Sequence, residues 1–108
     1  MNFRRTLCIA AVAALSQLVS AAPGVSPQAL GHVDATVDFC ARVDSKSAAS
    51  YKAWGKGLFE GVPDKELADA RNSGDYRETY DAIAAALAKV PAGEAVGTCR
   101  AALTENNK

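Results

Sequence analysis

Apolar residues recur at intervals of three and four along most of the chain, the period of one face of an α-helix. Leu30, Val33, Val37 and Cys40 are spaced 3, 4 and 3, which predicts a helix over Pro27–Val43. Asp34, Asp38 and Arg42 fall at i, i+4 and i+8 on another face of it, and Asp38 before Arg42 is the favourable order for such a pair. Asp44-Ser45-Lys46-Ser47 then breaks the pattern and offers side chains that can cap a helix start. A second helix is expected over Ser47–Glu60, where Tyr51, Trp54 and Leu58 repeat at 3 and 4. Gly55 and Gly57 weaken its last turns by about 1 kcal/mol each relative to alanine. Gly61 suits a helix C-terminus, and Pro63 a stop or the first position of a new helix.

Asp64–Arg71 predicts a short third helix, with Asp64 and Glu66 at the positive end of its dipole and Arg71 at the negative end. Asn72-Ser73-Gly74-Asp75 reads as a turn by composition. The fourth helix has the clearest signal: Tyr76, Tyr80, Ile83, Leu87 and Val90 are spaced 4, 3, 4 and 3, and alanines fill the intervening positions. It must end before Pro91, because the residue preceding proline is pushed out of the α region. Pro91 then opens a fifth helix carrying Val96, Cys99 and Leu103, and Thr104–Lys108 is a polar tail. No segment alternates with period two for long enough to suggest a sheet. The expected fold is therefore all-α, a small bundle of four to five short helices.

The first residues have a different character. Met1-Asn2-Phe3-Arg4-Arg5 is a short basic stretch, Leu7 to Val19 is apolar, and Val19 and Ala21 stand at the −3 and −1 positions of an A-x-A-like cleavage site. Residues 1–21 read as a signal peptide. A cut one residue later would place Pro23 directly after the scissile bond. The apolar run falls short of the about 20 residues a membrane span needs. Arg4-Arg5 lacks the Ser or Thr that precedes a twin-arginine pair, since Phe3 stands there, so the general secretory route is expected. Residues 22–28, with two prolines and a glycine, read as a flexible arm, 29–104 as the helical domain and 105–108 as a frayed tail.

Export changes the meaning of the cysteines. Cys8 leaves with the leader, and Cys40 and Cys99 remain as a pair in an oxidising compartment, periplasmic or extracellular, where a disulfide is expected. Both sit on apolar stripes, so the first and fifth helices should be neighbours. A bond closing a ring of this length would constrain the unfolded chain by up to about 4 kcal/mol in the entropic picture. That is a large share of the stability of so small a domain.

Charge excludes some partners. Without the leader, ten basic residues face twelve acidic ones, for a net charge of −2. This lacks the clustered basic excess of a nucleic-acid binder. No second apolar run is long enough for stable membrane insertion.

Candidate chemistry is sparse. His32 is the single histidine and has no second ligand or base at a matching spacing, so it reads as a surface residue. Gly55-Lys56-Gly57 lacks the length, the hydroxyl and the preceding strand of a phosphate loop. Asp64, Glu66 and Asp69 form the densest acidic patch, which the helix dipole already accounts for. No metal ligand set or cofactor motif is recognised. Lys52 and Lys56, one turn apart beside Trp54, either receive an anionic group or lie on a solvated helix face with their stems on apolar surface. Phe39 and Phe59 stand off the main stripes. If both are exposed they mark a partner-binding patch; otherwise an additional helix covers them.

The primary expectation is thus a non-catalytic binding or interaction protein that meets another exported protein through Phe39, Phe59, Lys52 and Lys56. A second reading is a periplasmic chaperone-like protein that opens in acid, since protonating its carboxylates drives the chain strongly positive. In chain size and single disulfide it is similar to small helical periplasmic acid-stress chaperones, in architecture alone. A third is a small hydrolase using Glu66, Asp69 or His32.

Overall fold

The computed structural model describes residues 25–106, so the expected leader, residues 22–24 of the expected arm and the last two residues lie outside it. Among the described residues there are five α-helices and no strand: α1 Pro27–Val43, α2 Ala48–Leu58, α3 Asp64–Arg71, α4 Gly74–Ala88 and α5 Ala92–Asn106. A single 3-10 turn, Ser45–Ser47, links α1 to α2. The small all-α fold read from the sequence is the fold observed.

Several boundaries shift for local reasons. The Ser26 side chain accepts from the Ala29 N–H and Pro27 occupies the first turn, so α1 takes the last two residues of the expected arm. Asp44 and Ser47 make no side-chain cap to the segments they precede, because the Asp44 carboxylate turns inward to a tertiary role. Gly61 adopts φ +89°, the left-handed conformation that reverses the chain after α2. Helix α3 has the predicted limits. Helix α4 is capped by Ser73, whose oxygen accepts from the Tyr76 N–H. Helix α5 runs on through Asn106, and the expected tail shortens accordingly: no breaker follows Leu103, which packs against the core.

Helix α1 is the spine, and α2, α3, α4 and α5 all pack on it. The other helices form two separate pairs, α2 with α5 and α3 with α4, and no Cα of one pair comes within 8 Å of the other. Helix α4 runs parallel to α1, since Tyr76 meets Asp34 and Tyr80 meets Asp38. Helix α2 runs antiparallel: Tyr51 reaches Asp44 while Gly55 lies against Val37 and Val33. Two glycines permit these approaches. A Cβ at Gly31 would lie 2.7 Å from the Tyr76 carbonyl oxygen, and one at Gly55 would lie 2.8 Å from Val37 Cγ2.

The core centres on Val37, Cys40, Tyr51 and Cys99, all buried, with Val33, Phe39, Val43, Trp54 and Leu103 packed around them. The disulfide Cys40–Cys99 lies within it, its Cα atoms 5.6 Å apart, and ties α1 to α5 as expected. Leu58, placed on the α2 stripe by its spacing, is instead 50% exposed. Helix α2 ends there, and the turn at Phe59 aims that side chain at a hollow beside α1.

Candidate functional site

Three aspartates organise the polar side of α1. Each accepts a hydrogen bond from one of the chain's three tyrosines. Tyr76 donates to Asp34 Oδ2 at 2.7 Å, Tyr80 donates to Asp38, and Tyr51 donates to Asp44 Oδ2 at 2.9 Å. Two arginines complete the arrangement. Arg71 donates from Nε and Nη2 to the two Asp34 oxygens at 2.8 and 3.3 Å. Arg100 donates from Nε to Asp44 Oδ2 at 3.2 Å. Asp34 thus joins α1 to α3 and α4, and Asp44 joins the end of α1 to α2 and α5.

These bonds set the ionisation of the groups involved. The bonds from Arg100 and Tyr51 hold the Asp44 carboxyl below the usual carboxylate range, against the opposing effect of burial. The bond to Asp44 in turn raises the Arg100 guanidinium, as the bond to Asp34 raises Arg71. Burial, reinforced by the neighbouring carboxylates, pushes the Tyr51 and Tyr76 hydroxyls up. The Tyr80 hydroxyl is pushed up to about 12, first by its bond to Asp38 and then by burial. All six groups with a perturbed ionisation therefore serve to tie helices together.

The surface with room for a ligand lies elsewhere on α1. Because no Cα of α2 comes within 8 Å of α3 or α4, a trench runs between them with α1 as its floor. One hollow, of about 690 Å³, has Asp34 and Val37 in its floor. Lys52, Lys56 and Gly57 of α2 form one wall, Leu67 and Arg71 of α3 the other, and Phe59 and Val62 of the intervening loop close its end. A second hollow, of about 660 Å³, continues along α1 past Asp38, Ala41 and Arg42, between Lys52 of α2 and Tyr80 and Ala84 of α4. Lys52 lines both. From Asp34 to Arg42 the floor extends about 12 Å at the helical rise per residue.

Of the residues singled out from the sequence, Lys52, Lys56 and Phe59 come together in this trench. Phe39 does not join them. It is half-buried against the disulfide cluster. Arg42, Lys52 and Lys56 make no ion pair among the described residues, whereas Arg71 is held by Asp34. Glu60 and Asp64 supply the trench with acidic groups at the loop end.

His32, Glu66 and Asp69 are exposed and line neither hollow. Among the described residues no group of three or more His, Cys, Asp or Glu is placed to hold a metal ion, and no helix is long and apolar enough to cross a membrane. Trp54 Nε1 is buried without a hydrogen-bond partner, beside the core and outside both hollows.

Sequence reasoning missed the trench floor and the tyrosine–aspartate pairs. A signal for the pairs exists: Asp34 and Asp38 are four apart, as are Tyr76 and Tyr80, so two parallel helices bring them into register. Comparison with family models, curated proteins and solved structures finds no match for this chain.

Proposed function

We propose that this chain is a non-catalytic binding protein of an exported compartment, and that the trench along α1 is its contact surface with another exported polypeptide. The observation that carries the reading is Lys52, which lines both hollows and makes them one continuous surface. Apolar side chains at one end, Phe59, Val62 and Leu67, supply area to bury. Lys52 and Lys56, in no ion pair among the described residues, and Arg42, whose Nε donates to the Asp38 carbonyl, supply positive charge along the middle. A segment carrying apolar side chains and carboxylates suits this lining, with charge setting encounter rate and register. The disulfide and the leader-like first residues support an oxidising compartment.

The test is a photo-reactive residue placed at position 52 or 56 of the full chain, expressed in the source cell. A discrete adduct is expected from both positions, lost when the other lysine is changed to glutamate, and none from position 85 on the exposed side of α4. Equal adducts from all three positions, or none from the trench, overturn the reading.

A further inference from the structure

We propose that the trench takes an amphipathic α-helix of its partner, with acidic side chains one turn apart facing Lys52 and Lys56 and a basic end facing Glu60 and Asp64. This rests on the trench reading above and adds to it the conformation and the charge order of the occupant.

The conformation follows from the lining. Floor and walls are helices, whose interior N–H and C=O groups are spent on their own turns. The remaining main chain is also occupied. Ala48, which opens α2 beside the second hollow, donates its N–H to the Ser45 carbonyl, and in the loop closing the first hollow the Val62 N–H donates to the Phe59 carbonyl. An extended segment laid on this surface would bury main-chain groups with nothing to pair them, and there is no strand edge among the described residues to take them. A helix arrives with its main chain already paired and needs only side-chain contact. The two hollows, of about 690 and 660 Å³, have room for about two turns of a helix some 10–12 Å across.

The charge order is read along the same line. Glu60 and Asp64 stand at the loop end, Lys56 and Lys52 follow along α2, and Arg42 stands in the second hollow. Asp34 is paired with Arg71. Asp38 accepts from Tyr80 and shares its hollow with both Arg42 and Lys52. The lining is therefore negative at the loop end and net positive from Lys56 to Arg42. Lys52 and Lys56 are exposed, in no ion pair among the described residues, and one turn apart on α2. Carboxylates at i and i+4 on a helix lying along α2 meet them in register. Phe59, Val62 and Leu67 receive the apolar stripe of that helix.

The experiment is fluorescence anisotropy of a labelled synthetic peptide with the oxidised full chain. The probe is an alanine-based helix of about 16 residues with a leucine stripe, two glutamates one turn apart in its first half and a lysine in its last turn. Saturable binding is expected. It should weaken by about tenfold or more when the probe glutamates become glutamine, and likewise in the Lys52→Glu, Lys56→Glu protein. A central proline, which breaks the helix, should abolish it. Glu60→Gln with Asp64→Asn should weaken the probe and leave unchanged a version whose lysine is glutamine. Equal affinity for the proline peptide overturns the helical occupant, equal affinity of the lysine variant overturns the charge register, and absence of saturable binding overturns both. The cellular adducts report on the trench separately: adducts from positions 52 and 56 combined with equal binding of the helical and proline peptides keep the trench as a contact surface and reject the helix.

Discussion

Tyr76 and Asp34 lie 42 residues apart in sequence, yet the tyrosine hydroxyl donates to the carboxylate across 2.7 Å. The relationship recurs one helical turn on, at Tyr80 and Asp38, and again at the far end of α1, at Tyr51 and Asp44. The spine of the bundle therefore receives its neighbours through a row of phenol-to-carboxylate bonds as well as through apolar packing.

The first consequence is an alkaline limit. All three tyrosines have raised ionisation, with Tyr80 at about 12. A group raised by folding stabilises the fold fully below its unfolded value, about 10, and that stability is lost as pH rises through the folded value. Absorbance of phenolate should stay low through about pH 10 and then rise together with loss of helical circular dichroism. A rise with the ordinary phenol midpoint and intact helices would contradict the bonding described.

Asp44 works in the opposite direction. Its carboxyl is held low by Arg100 and Tyr51, so its contribution is present above the ordinary carboxylate value and lost as pH falls through the depressed one. Asp44→Asn should lower the urea midpoint at neutral pH and flatten the acid limb. Arg100→Ala should do less, since Tyr51 still serves the carboxylate. Tyr51→Phe removes a bond in a site 2% exposed and should cost about 1–2 kcal/mol.

Glycine substitutions separate close approach from helix propensity. Gly31→Ala places a Cβ against the Tyr76 carbonyl and 3.2 Å from the Tyr80 nitrogen, both backbone atoms that cannot turn aside. Helix α4 must shift, at a cost of about 1–3 kcal/mol that exceeds the propensity gain. A Cβ at Gly57 meets nothing within 4 Å. Gly57→Ala should therefore stabilise by about 0.5–1 kcal/mol. Thermal melts of the two variants should move in opposite directions.

Reduction tests the staple. Breaking Cys40–Cys99 should lower stability by up to about 4 kcal/mol, read from urea unfolding with and without reductant. Trp54, the single tryptophan, packs against the cluster that contains the disulfide. A disulfide quenches a nearby excited indole, so its emission should brighten on reduction before any denaturant is added.

Much of this fold was legible from spacing. The stripe through Leu30, Val33, Val37 and Cys40 gave α1, the limits Asp64 and Arg71 gave α3, and the cysteines on two stripes gave the α1–α5 contact. These features are local or follow from a single covalent constraint. The trench was legible only in pieces. Lys52, Lys56 and Phe59 stood out from the sequence, but the floor of Asp34, Val37 and Asp38 depends on α2 and α4 flanking α1 with their backbones held more than 8 Å apart. No periodicity encodes that separation. Tyr76 and Tyr80 read as core residues because an apolar stripe reports the ring and is silent about the hydroxyl. The role of Gly31 needs the backbone of α4 to be in place, which the spacing along α1 does not report. Leu58 left the core because α2 ends there and the turn that follows rotates the chain, and a stripe cannot foresee the residue at which it stops.

A bundle whose helices all rest on one member cannot be cut into self-sufficient halves. A fragment beginning after Val43 would contain two helix pairs, α2 with α5 and α3 with α4, with no Cα of one within 8 Å of the other. The peptide spanning residues 27–43 is then the missing keystone, and adding it back in trans is what would reassemble the molecule.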